Sequence, residues 1–420
     1  MTQDKTKASY RRNVLTLMSG SALAQALPIA ASPILTRLYT PDDFGVAALF
    51  LATTAVMATV VNGRYELAIG IPESDDDAIN IAALGAAIAV MVSAALLVLV
   101  FFFGKSLALL GNAAAIVPWL YLIPASVLLT GLFNVLNYTN NRLGLFKDIA
   151  TANVYKSVTS TATQLVWGWM IKGVSGLIAG SLVAQLVSNI KLYRNASAHF
   201  NFRQISWQKM MALARRYKSF PKFSMWSGVF NGVGHHILTF AMPIVFSLGT
   251  LGLYNLTMRV LGAPAGLIAS AFGQVFLREA TQEKQNHGHA KTSFNKTMKR
   301  LAMIGAPIFI GIFFLAEHIF SAVFGEDWRA AGRYAAILTP LFFARFIASS
   351  ASMMNIVFEK NNVGMYWQLG YLIINIIIIF IAYDIRLTIE NYLLVLSPVL
   401  TIYYFLLVYI VSNYNKSTKM

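Results

Sequence analysis

The stretch INIAALGAAIAVMVSAALLVLVFFF, residues Ile79–Phe103, carries no charged side chain in 25 positions. An apolar run of this length predicts a transmembrane helix, because about 20 residues span the hydrocarbon core of a bilayer. Eleven further stretches of similar character lie on either side of it. Together the twelve predicted spans are Val14–Leu35, Phe44–Gly63, Ile79–Phe103, Ile116–Tyr138, Ala150–Ile171, Val174–Tyr193, Phe223–Phe246, Leu251–Phe276, Leu301–Phe324, Tyr334–Val357, Gly364–Tyr383 and Tyr392–Val411.

The composition agrees with an all-α polytopic membrane protein. The chain is 57% hydrophobic and only 12% charged, whereas about a quarter of the residues of a soluble domain are charged. Its net charge of +16 does not indicate nucleic acid, because the basic residues fall in short loops between the spans. Because the chain has no cysteine, disulfides, thiolate nucleophiles and cysteine metal sites are excluded.

The distribution of Lys and Arg predicts the orientation of the chain. One side of the predicted membrane receives 24 of the 33 basic residues, the other side receives 6, and 3 lie inside spans. Because cytoplasmic loops are enriched in Lys and Arg, both termini are expected in the cytoplasm. Ala22-Leu23-Ala24 has the form of a signal-peptidase site, but the apolar run continues to Leu35, so we predict an uncleaved first span.

The spans divide into two sets of six. We predict an N-terminal lobe at residues 1–193, a basic cytoplasmic linker at 194–222 and a C-terminal lobe at 223–420. Apolar residues between Trp207 and Ala214 alternate with basic ones, which is typical of an amphipathic helix on the inner leaflet. The alternative is a solvated linker whose charges only set the topology.

A weak internal repeat supports two parallel lobes. Pro33-Ile34 ends the first span and Pro243-Ile244 ends the seventh. In each case an apolar stretch resumes after a short outer turn, at Phe44-Gly45 and at Gly252-Leu253. Repeats related by an axis along the membrane normal are common in transporters.

Three cations lie within predicted spans: Lys156, Arg259 and Arg345. A charge in lipid is costly, so such residues usually face a bundle interior or a water-filled cavity. Arg259 lies about 12 Å and Lys156 about 9 Å from the nearer membrane surface, and Arg345 lies near the middle of its span. A cavity lined by cations favours an anionic cargo. The alternatives are snorkelling for Lys156 and structural contacts to carbonyls or to Glu317 for the arginines.

Arg64 and Glu66 follow the second span on the cytoplasmic side. Two residues apart, they are not expected to face each other along one helix. Arg64 is suited to guarding the inner mouth of a cavity, because a guanidinium binds phosphate with two parallel hydrogen bonds. The alternative is an interfacial anchor.

Four side chains are candidates for ion coupling: Glu317, His318, His235 and His236. Histidine titrates near physiological pH, but ordinary hydrogen bonds between helices are the competing interpretation. The sequence contains no phosphate-binding P-loop, and it predicts neither a metal site nor a cofactor. The outer loops are too short for a catalytic domain, since the longest, Gly104–Ala115, has 12 residues.

Six motifs together resemble the bacterial polysaccharide and O-antigen flippases of the multidrug/oligosaccharidyl-lipid/polysaccharide exporter superfamily. The resemblance covers nearly the whole chain and rests on the order and spacing of the motifs. They are PILTRLYTPDDFG at residues 33–45, RYELAI at 64–69, RLGLFK at 142–147, YKSFP at 217–221, GLYNLTMRVLGAP at 252–264, and Phe324-Gly325 with Trp328.

The resemblance implies a V-shaped, two-lobe transporter that works by alternating access. It also implies a cargo, an oligosaccharide on undecaprenyl pyrophosphate that moves from the inner to the outer leaflet, and pathway partners such as a polysaccharide polymerase and a chain-length regulator. Related flippases hold the pyrophosphate with arginines in a central cationic cavity, and the resemblance implies this role here for Arg64 and Arg259. Lys156 and Arg345 are added from their depth alone.

Two other functions compete with this interpretation. A multidrug or organic-ion exporter would share the architecture, but a pump for cations needs intramembrane carboxylates, and this chain offers little beyond Glu317. A membrane glycosyltransferase or polymerase is disfavoured by the short outer loops and by the lack of a catalytic carboxylate pair.

Overall fold

The computed structural model describes the backbone of residues 2–198 and 204–415, with side chains except at 2–19, 110, 263, 361 and 415. Every regular element in these ranges is a helix, which confirms the predicted all-α fold. Helices suit a bilayer because each satisfies its own backbone hydrogen bonds. Three of the cations assigned to the cytoplasmic side, Arg203, Lys416 and Lys419, lie outside the described residues.

The chain forms two compact units, Met1–Ile244 and Val245–Met420. The helices of the first unit are α1 (Thr2–Leu38), α2 (Pro41–Ala58), α3 (Asp75–Leu110), α4 (Val117–Leu120), α5 (Ile123–Arg142), α6 (Phe146–Met170), α7 (Ser175–Ser197), α8 (Trp207–Arg216) and α9 (Met225–Val245). The second unit contains α10 (Leu248–His287), α11 (Lys291–Phe324), α12 (Arg329–Ala351), α13 (Met354–Val357), α14 (Asn361–Asp384) and α15 (Ile389–Ser412). Helix α9 therefore groups by its contacts with the N-terminal unit, and the predicted lobe limits at 193 and 223 stay a prediction.

A long helix lies at each of the twelve predicted spans in the described part of the chain. Eight of these helices are long and apolar enough to cross a membrane, or nine if α4 and α5, bent by 58° at their junction, count as one span. The other three are α1, α6 and α9, at the predicted first, fifth and seventh spans. Polar membrane helices usually turn their polar residues toward the protein interior, and α6 and α9 carry Lys156 and the paired histidines.

Hydroxyl side chains mark where several helices begin. Thr40 and Asp43 form a capping box at α2, where each side chain bonds the backbone of the other. The Ser74 side chain accepts a hydrogen bond from the backbone N of Asp77 at 3.1 Å and so caps α3. Such caps satisfy N–H groups that the first helical turn leaves without partners.

The first and seventh predicted spans are followed by connections of the same length. Two residues separate α1 from α2, and two separate α9 from α10. The residue before the second helix is an N-cap in both cases, Thr40 before α2 and Ser247 before α10. This agreement in connection length and capping strengthens the internal repeat suggested by the proline positions.

Helix α8 is the amphipathic segment of the predicted linker. Its apolar residues Met210 and Leu213 are buried against Tyr65 and Ile81 of the first unit, so this face packs on the protein. Trp207, by contrast, is 67% exposed. The helix therefore has both a protein-facing and an outward-facing apolar surface, and its contact with the inner leaflet stays a prediction.

The absence of native cysteine allows a direct test of orientation, because single cysteines can be introduced without background. Lys172→Cys lies in the exposed connection between α6 and α7, and Gln285→Cys lies at the exposed end of α10. In intact spheroplasts, a membrane-impermeant maleimide should label only the Lys172→Cys variant. After lysis it should label both, and labelling of Gln285→Cys in intact spheroplasts would contradict the predicted orientation.

Candidate functional site

Arg64 has an unusual backbone conformation. Its φ of 62° lies in the left-handed region, which a non-glycine residue adopts at a cost of about 1–3 kcal/mol. Neighbours on both sides hold it there. The Asn62 side chain donates to the carbonyls of Gly85 and Gly131, each at 3.1 Å, and the Tyr65 hydroxyl donates to a carbonyl of α8 at 3.0 Å.

This backbone break brings Arg64 and Glu66 together, so the prediction that they do not face each other is wrong. Helix α2 ends at Ala58, and the left-handed turn at residues 63–64 leads into a short 3₁₀ helix, Tyr65–Ala68. The Arg64 guanidinium consequently lies 3.7 Å from the Glu66 carboxylate. The spacing rule failed because it assumed one continuous helix.

The pairing leaves hydrogen-bonding capacity on both side chains. Arg64 Nε and Glu66 Oε2 are buried without a partner among the described residues. Glu66 is only 2% exposed, and burial raises the pKa of its carboxyl, an effect that Arg64 partly offsets. Because a guanidinium has five N–H donors, the contact with Glu66 at 3.7 Å engages only part of the hydrogen-bonding capacity of Arg64.

Gly228 of α9 provides the surface on which the Arg64 guanidinium lies. A Cβ at Gly228 would lie 2.8 Å from Arg64 Cζ and 2.9 Å from Nε. Such distances are far below ordinary van der Waals contact. The sequence alone did not identify Gly228 or the burial of Glu66, because both depend on contacts with helices distant in the chain.

Lys156 has an aromatic partner within the first unit. Its ammonium lies 4.5 Å from the centroid of the Phe133 ring, which belongs to α5. This is cation–π geometry, and the lysine is half-buried. No described contact connects Lys156 with Arg64, and its predicted role in a cavity stays a prediction.

Arg259 and Arg345 lie on α10 and α12 of the second unit. The two helices approach each other between these residues, where a Cβ at Gly262 would be 3.6 Å from the ring of Phe342. Arg259 is half-buried and Arg345 is exposed.

The four coupling candidates lie in two places. His235 and His236 are consecutive on α9, the first exposed and the second half-buried. Glu317 of α11 lies 3.7 Å from Arg333, which also pairs with Glu390 at 3.0 Å. Glu317 therefore already has a cationic partner, while the neighbouring His318 is exposed.

Two cavities in the first unit lie apart from Arg64 and Lys156. One, of about 520 Å³, is lined by Arg142 and Asp75. Its arginine is occupied, since it donates to Asp75 and to the carbonyls of Ile69 and Pro72. The other, of about 580 Å³, is an almost wholly apolar groove between α3, α5 and α7. Neither lining suits a pyrophosphate.

The helices and their intramembrane cations define the class as a multi-pass membrane protein with the fold of known exporters. The chain superposes on the lipid II flippase MurJ in an inward closed conformation with a TM-score of 0.72, 13% identity and coverage of 95% of this chain and 87% of MurJ. For the MATE multidrug transporter DinF-BH, the TM-score is 0.65 at 13% identity, with coverage of 98% of this chain and 96% of the transporter. At such identities the likeness concerns the fold alone.

The sequence assigns the chain to a family, which is a narrower group than the fold. The signature of the family described as "Polysaccharide biosynthesis protein" matches residues 34–332, and the chain belongs to this family. This confirms the resemblance to the polysaccharide flippases of the exporter superfamily.

Two relatives in polysaccharide biosynthesis match with 24% identity each. The succinoglycan biosynthesis transport protein ExoT of Rhizobium meliloti matches over 342 residues, 79% of this chain and 66% of ExoT. The teichuronic acid biosynthesis protein TuaB of Bacillus subtilis matches over 156 residues, 37% of this chain and 32% of TuaB. The chain thus spans less than two thirds of the length of either relative.

The contact between Arg64 and Gly228 can be tested by adding a single methyl group. Gly228→Ala should displace the guanidinium, because the new Cβ would overlap it. We expect the variant to restore surface polysaccharide poorly in a deletion strain, while its unfolding temperature stays close to that of the wild type, because the displaced group is the free end of a flexible side chain.

Gly311→Ala is the matched control. Gly311 also lies within a helix, and a Cβ there would meet nothing within 4 Å. Alanine favours a helix over glycine by about 1 kcal/mol, so this control should be neutral or slightly stabilising. Equal restoration of surface polysaccharide by the two variants would show that function does not depend on the contact between Arg64 and Gly228.

Proposed function

We propose that the protein is a transporter rather than an enzyme, a flippase for oligosaccharides linked to undecaprenyl pyrophosphate. It moves repeat units of O-antigen, capsule or exopolysaccharide from the cytoplasmic to the outer leaflet by alternating access of two lobes. Membership in the polysaccharide biosynthesis family supports this proposal, as does the transport role in the name of ExoT. The protein would lie in the bacterial inner membrane with both termini in the cytoplasm.

The observation that carries the proposal is Arg64. The chain holds this arginine in a strained conformation, with a buried Nε that lacks a partner in the described part of the protein. Strained residues that their surroundings hold in place cluster at functional sites. A pyrophosphate matches what the guanidinium lacks, because phosphate oxygens accept two parallel hydrogen bonds from it.

Arg259 and Arg345 extend this chemistry to the second unit. A pyrophosphate that leaves water loses a large hydration free energy, and cations along its path reduce that cost. An organic cation would instead be repelled at these positions, which argues against a multidrug function. The polyprenyl tail remains in lipid, while a polymerase and a chain-length regulator act as pathway partners. Lys156 is the weakest member of the set because Phe133 already contacts its ammonium.

Two substitutions test the proposed binding of pyrophosphate. Arg64→Lys keeps the charge but loses the planar fork, and Arg259→Ala removes a cation deep in the membrane. We expect Arg64→Lys to weaken binding of undecaprenyl pyrophosphate to the protein in nanodiscs by about tenfold, the loss of roughly one charge-assisted hydrogen bond. We expect Arg259→Ala to abolish surface polysaccharide in a deletion strain.

Arg386→Ala is the control for both substitutions, because Arg386 lies in the exposed connection between α14 and α15. It should bind and export like the wild type at equal membrane levels. Normal export by Arg259→Ala would refute its assigned role. Tight binding of organic cations without binding of the pyrophosphate would instead establish the multidrug alternative.

Ion coupling is proposed for His235, His236, Glu317 and His318. If one of them carries the coupled proton, a neutral replacement such as His236→Gln or Glu317→Gln should remove the dependence of flipping on a pH gradient. The measurement is flipping of the lipid-linked cargo in proteoliposomes with and without an imposed gradient. Unchanged dependence in all four single variants would assign coupling to another ion or residue.

A further inference from the structure

An apolar groove of about 580 Å³ runs between α3, α5 and α7 of the first unit. Its walls come from the start of α3 (79–86), the end of α5 (132–139) and the end of α7 (189–196). All three segments lie toward the side of the predicted membrane that carries most of the basic residues. The groove therefore lies at the level of the inner leaflet, and we call it the inner-leaflet groove.

Small side chains on α3 create this space, and larger ones on α7 border its opening. Ala82, Ala83 and Ala86 line the groove on α3. On α7, the lining residues Ile190 and Tyr193 are 57% and 52% exposed. An apolar groove that opens within a bilayer offers water few hydrogen-bond partners, whereas a hydrocarbon chain packs in it by van der Waals contact. A lipid chain is the occupant that fits this lining.

Helix α3 separates the inner-leaflet groove from the segment that carries Arg64. Ile81 and Leu84 of this helix belong to the same buried cluster as Tyr65. At 3.6 residues per turn, these two positions lie on the face of α3 opposite Ala86, which lines the groove. A helix with its side chains is about 10 Å thick. This separation from the proposed pyrophosphate site at Arg64 favours a resident membrane lipid over the polyprenyl tail of the cargo.

A cation lies at the cytoplasmic end of the groove. Arg194 follows the lining residue Ile190 by one helical turn, so the two side chains are neighbours on α7. Arg194 is exposed, and no ion pair joins it to a carboxylate in the described part of the chain. Lys191 of the same helix, by contrast, pairs with Asp148 at 3.4 Å. Because basic pockets between membrane helices on the cytoplasmic side bind anionic lipid head groups, the charge favours an anionic phospholipid.

Thr139 adds a hydrogen-bond donor at the same end of the groove. It lines the groove near the end of α5 and is 4% exposed, and its Oγ1 has no partner among the described residues. The next residue, Asn140, donates to the carbonyl of Leu192 at 3.1 Å and so holds the ends of α5 and α7 together. A buried hydroxyl without a partner is costly. The ester carbonyl at the head of an acyl chain is an acceptor that suits the Thr139 hydroxyl.

We propose that the inner-leaflet groove binds one acyl chain of an anionic phospholipid. Arg194 contacts the phosphate, and Thr139 donates to the ester carbonyl that joins the chain to glycerol. The bound lipid fills the space between α3, α5 and α7 and thereby stabilises the folded protein. This site is separate from any cargo site, so it does not depend on the proposed flippase function.

The test counts lipids on the full-length protein in detergent by native mass spectrometry. The probes are phosphatidylglycerol, which is anionic, phosphatidylcholine with the same acyl chains, which has no net charge, and undecaprenyl pyrophosphate. We expect the wild type to bind phosphatidylglycerol in preference to phosphatidylcholine. Arg194→Gln should weaken binding of phosphatidylglycerol by about fivefold, the contribution of one basic residue near an anionic lipid. Binding of phosphatidylcholine should not change in this variant.

Two further variants obstruct the groove itself. Ala83→Leu fills it from α3, and Ile190→Trp covers it at an exposed position, where a larger side chain should not disturb the fold. Each variant should lose the bound phosphatidylglycerol. Thermal unfolding without lipid checks the fold. Added phosphatidylglycerol should raise the unfolding temperature of the wild type but not that of these two variants.

The matched controls make the same kinds of substitution away from the groove. Ala94→Leu enlarges an exposed alanine of the same helix, α3, and Arg300→Gln removes an exposed arginine from α11. Both variants should bind phosphatidylglycerol like the wild type and respond to it with the same rise in unfolding temperature.

Several results would overturn the proposal. Equal binding of phosphatidylglycerol by the wild type and both obstructed variants would place the lipid elsewhere. Equal affinity of the wild type for the two phospholipids would overturn the assignment of an anionic head group. Loss of undecaprenyl pyrophosphate, but not of phosphatidylglycerol, from the obstructed variants would assign the groove to the tail of the cargo.

A wild type that binds no phospholipid would also overturn the proposal. A lower unfolding temperature of a Phe200→Ala/Phe202→Ala variant would then assign the groove to this segment of the chain, which lies outside the described residues. None of these results bears on the flippase proposal, because export of polysaccharide is measured separately.

Discussion

The hydrocarbon core of a bilayer provides no hydrogen-bond partners, and this constraint governs the rest of the structure. It requires helices, because only a helix satisfies its own backbone along a single segment. At the exposed starts of the helices that begin at Pro41, Asp75 and Leu248, hydroxyl side chains accept from N–H groups that the first turn leaves without partners. Any polar or charged side chain that remains within a span needs a partner, water or a cargo.

The same constraint made much of the fold predictable from the sequence. An apolar run such as Ile79–Phe103 can persist only as a membrane helix, and α3 indeed extends from Asp75 to Leu110. Hydropathy measures the free energy of transferring a side chain out of water, however. It does not specify whether lipid or protein covers the apolar face of a helix. It therefore could not show that Met210 of α8 packs on the protein, or that α9 groups with the first unit.

The candidate site was only partly predictable, for a related reason. A cation in an apolar run, such as Arg259 or Arg345, is conspicuous in any sequence. The pairing of Arg64 with Glu66 was missed because it depends on a left-handed turn, and a spacing rule for helices does not apply there.

At residue 64, the backbone conformation and the side chain make different demands on the choice of amino acid. Selection for folding alone favours glycine there, since glycine adopts this conformation without strain, and the preceding residue is in fact Gly63. An arginine at residue 64 lowers stability relative to glycine, and hydrogen bonds of Asn62 and Tyr65 hold the backbone there. The proposed role in binding the cargo gives a reason for an arginine at a position where glycine would make the fold more stable.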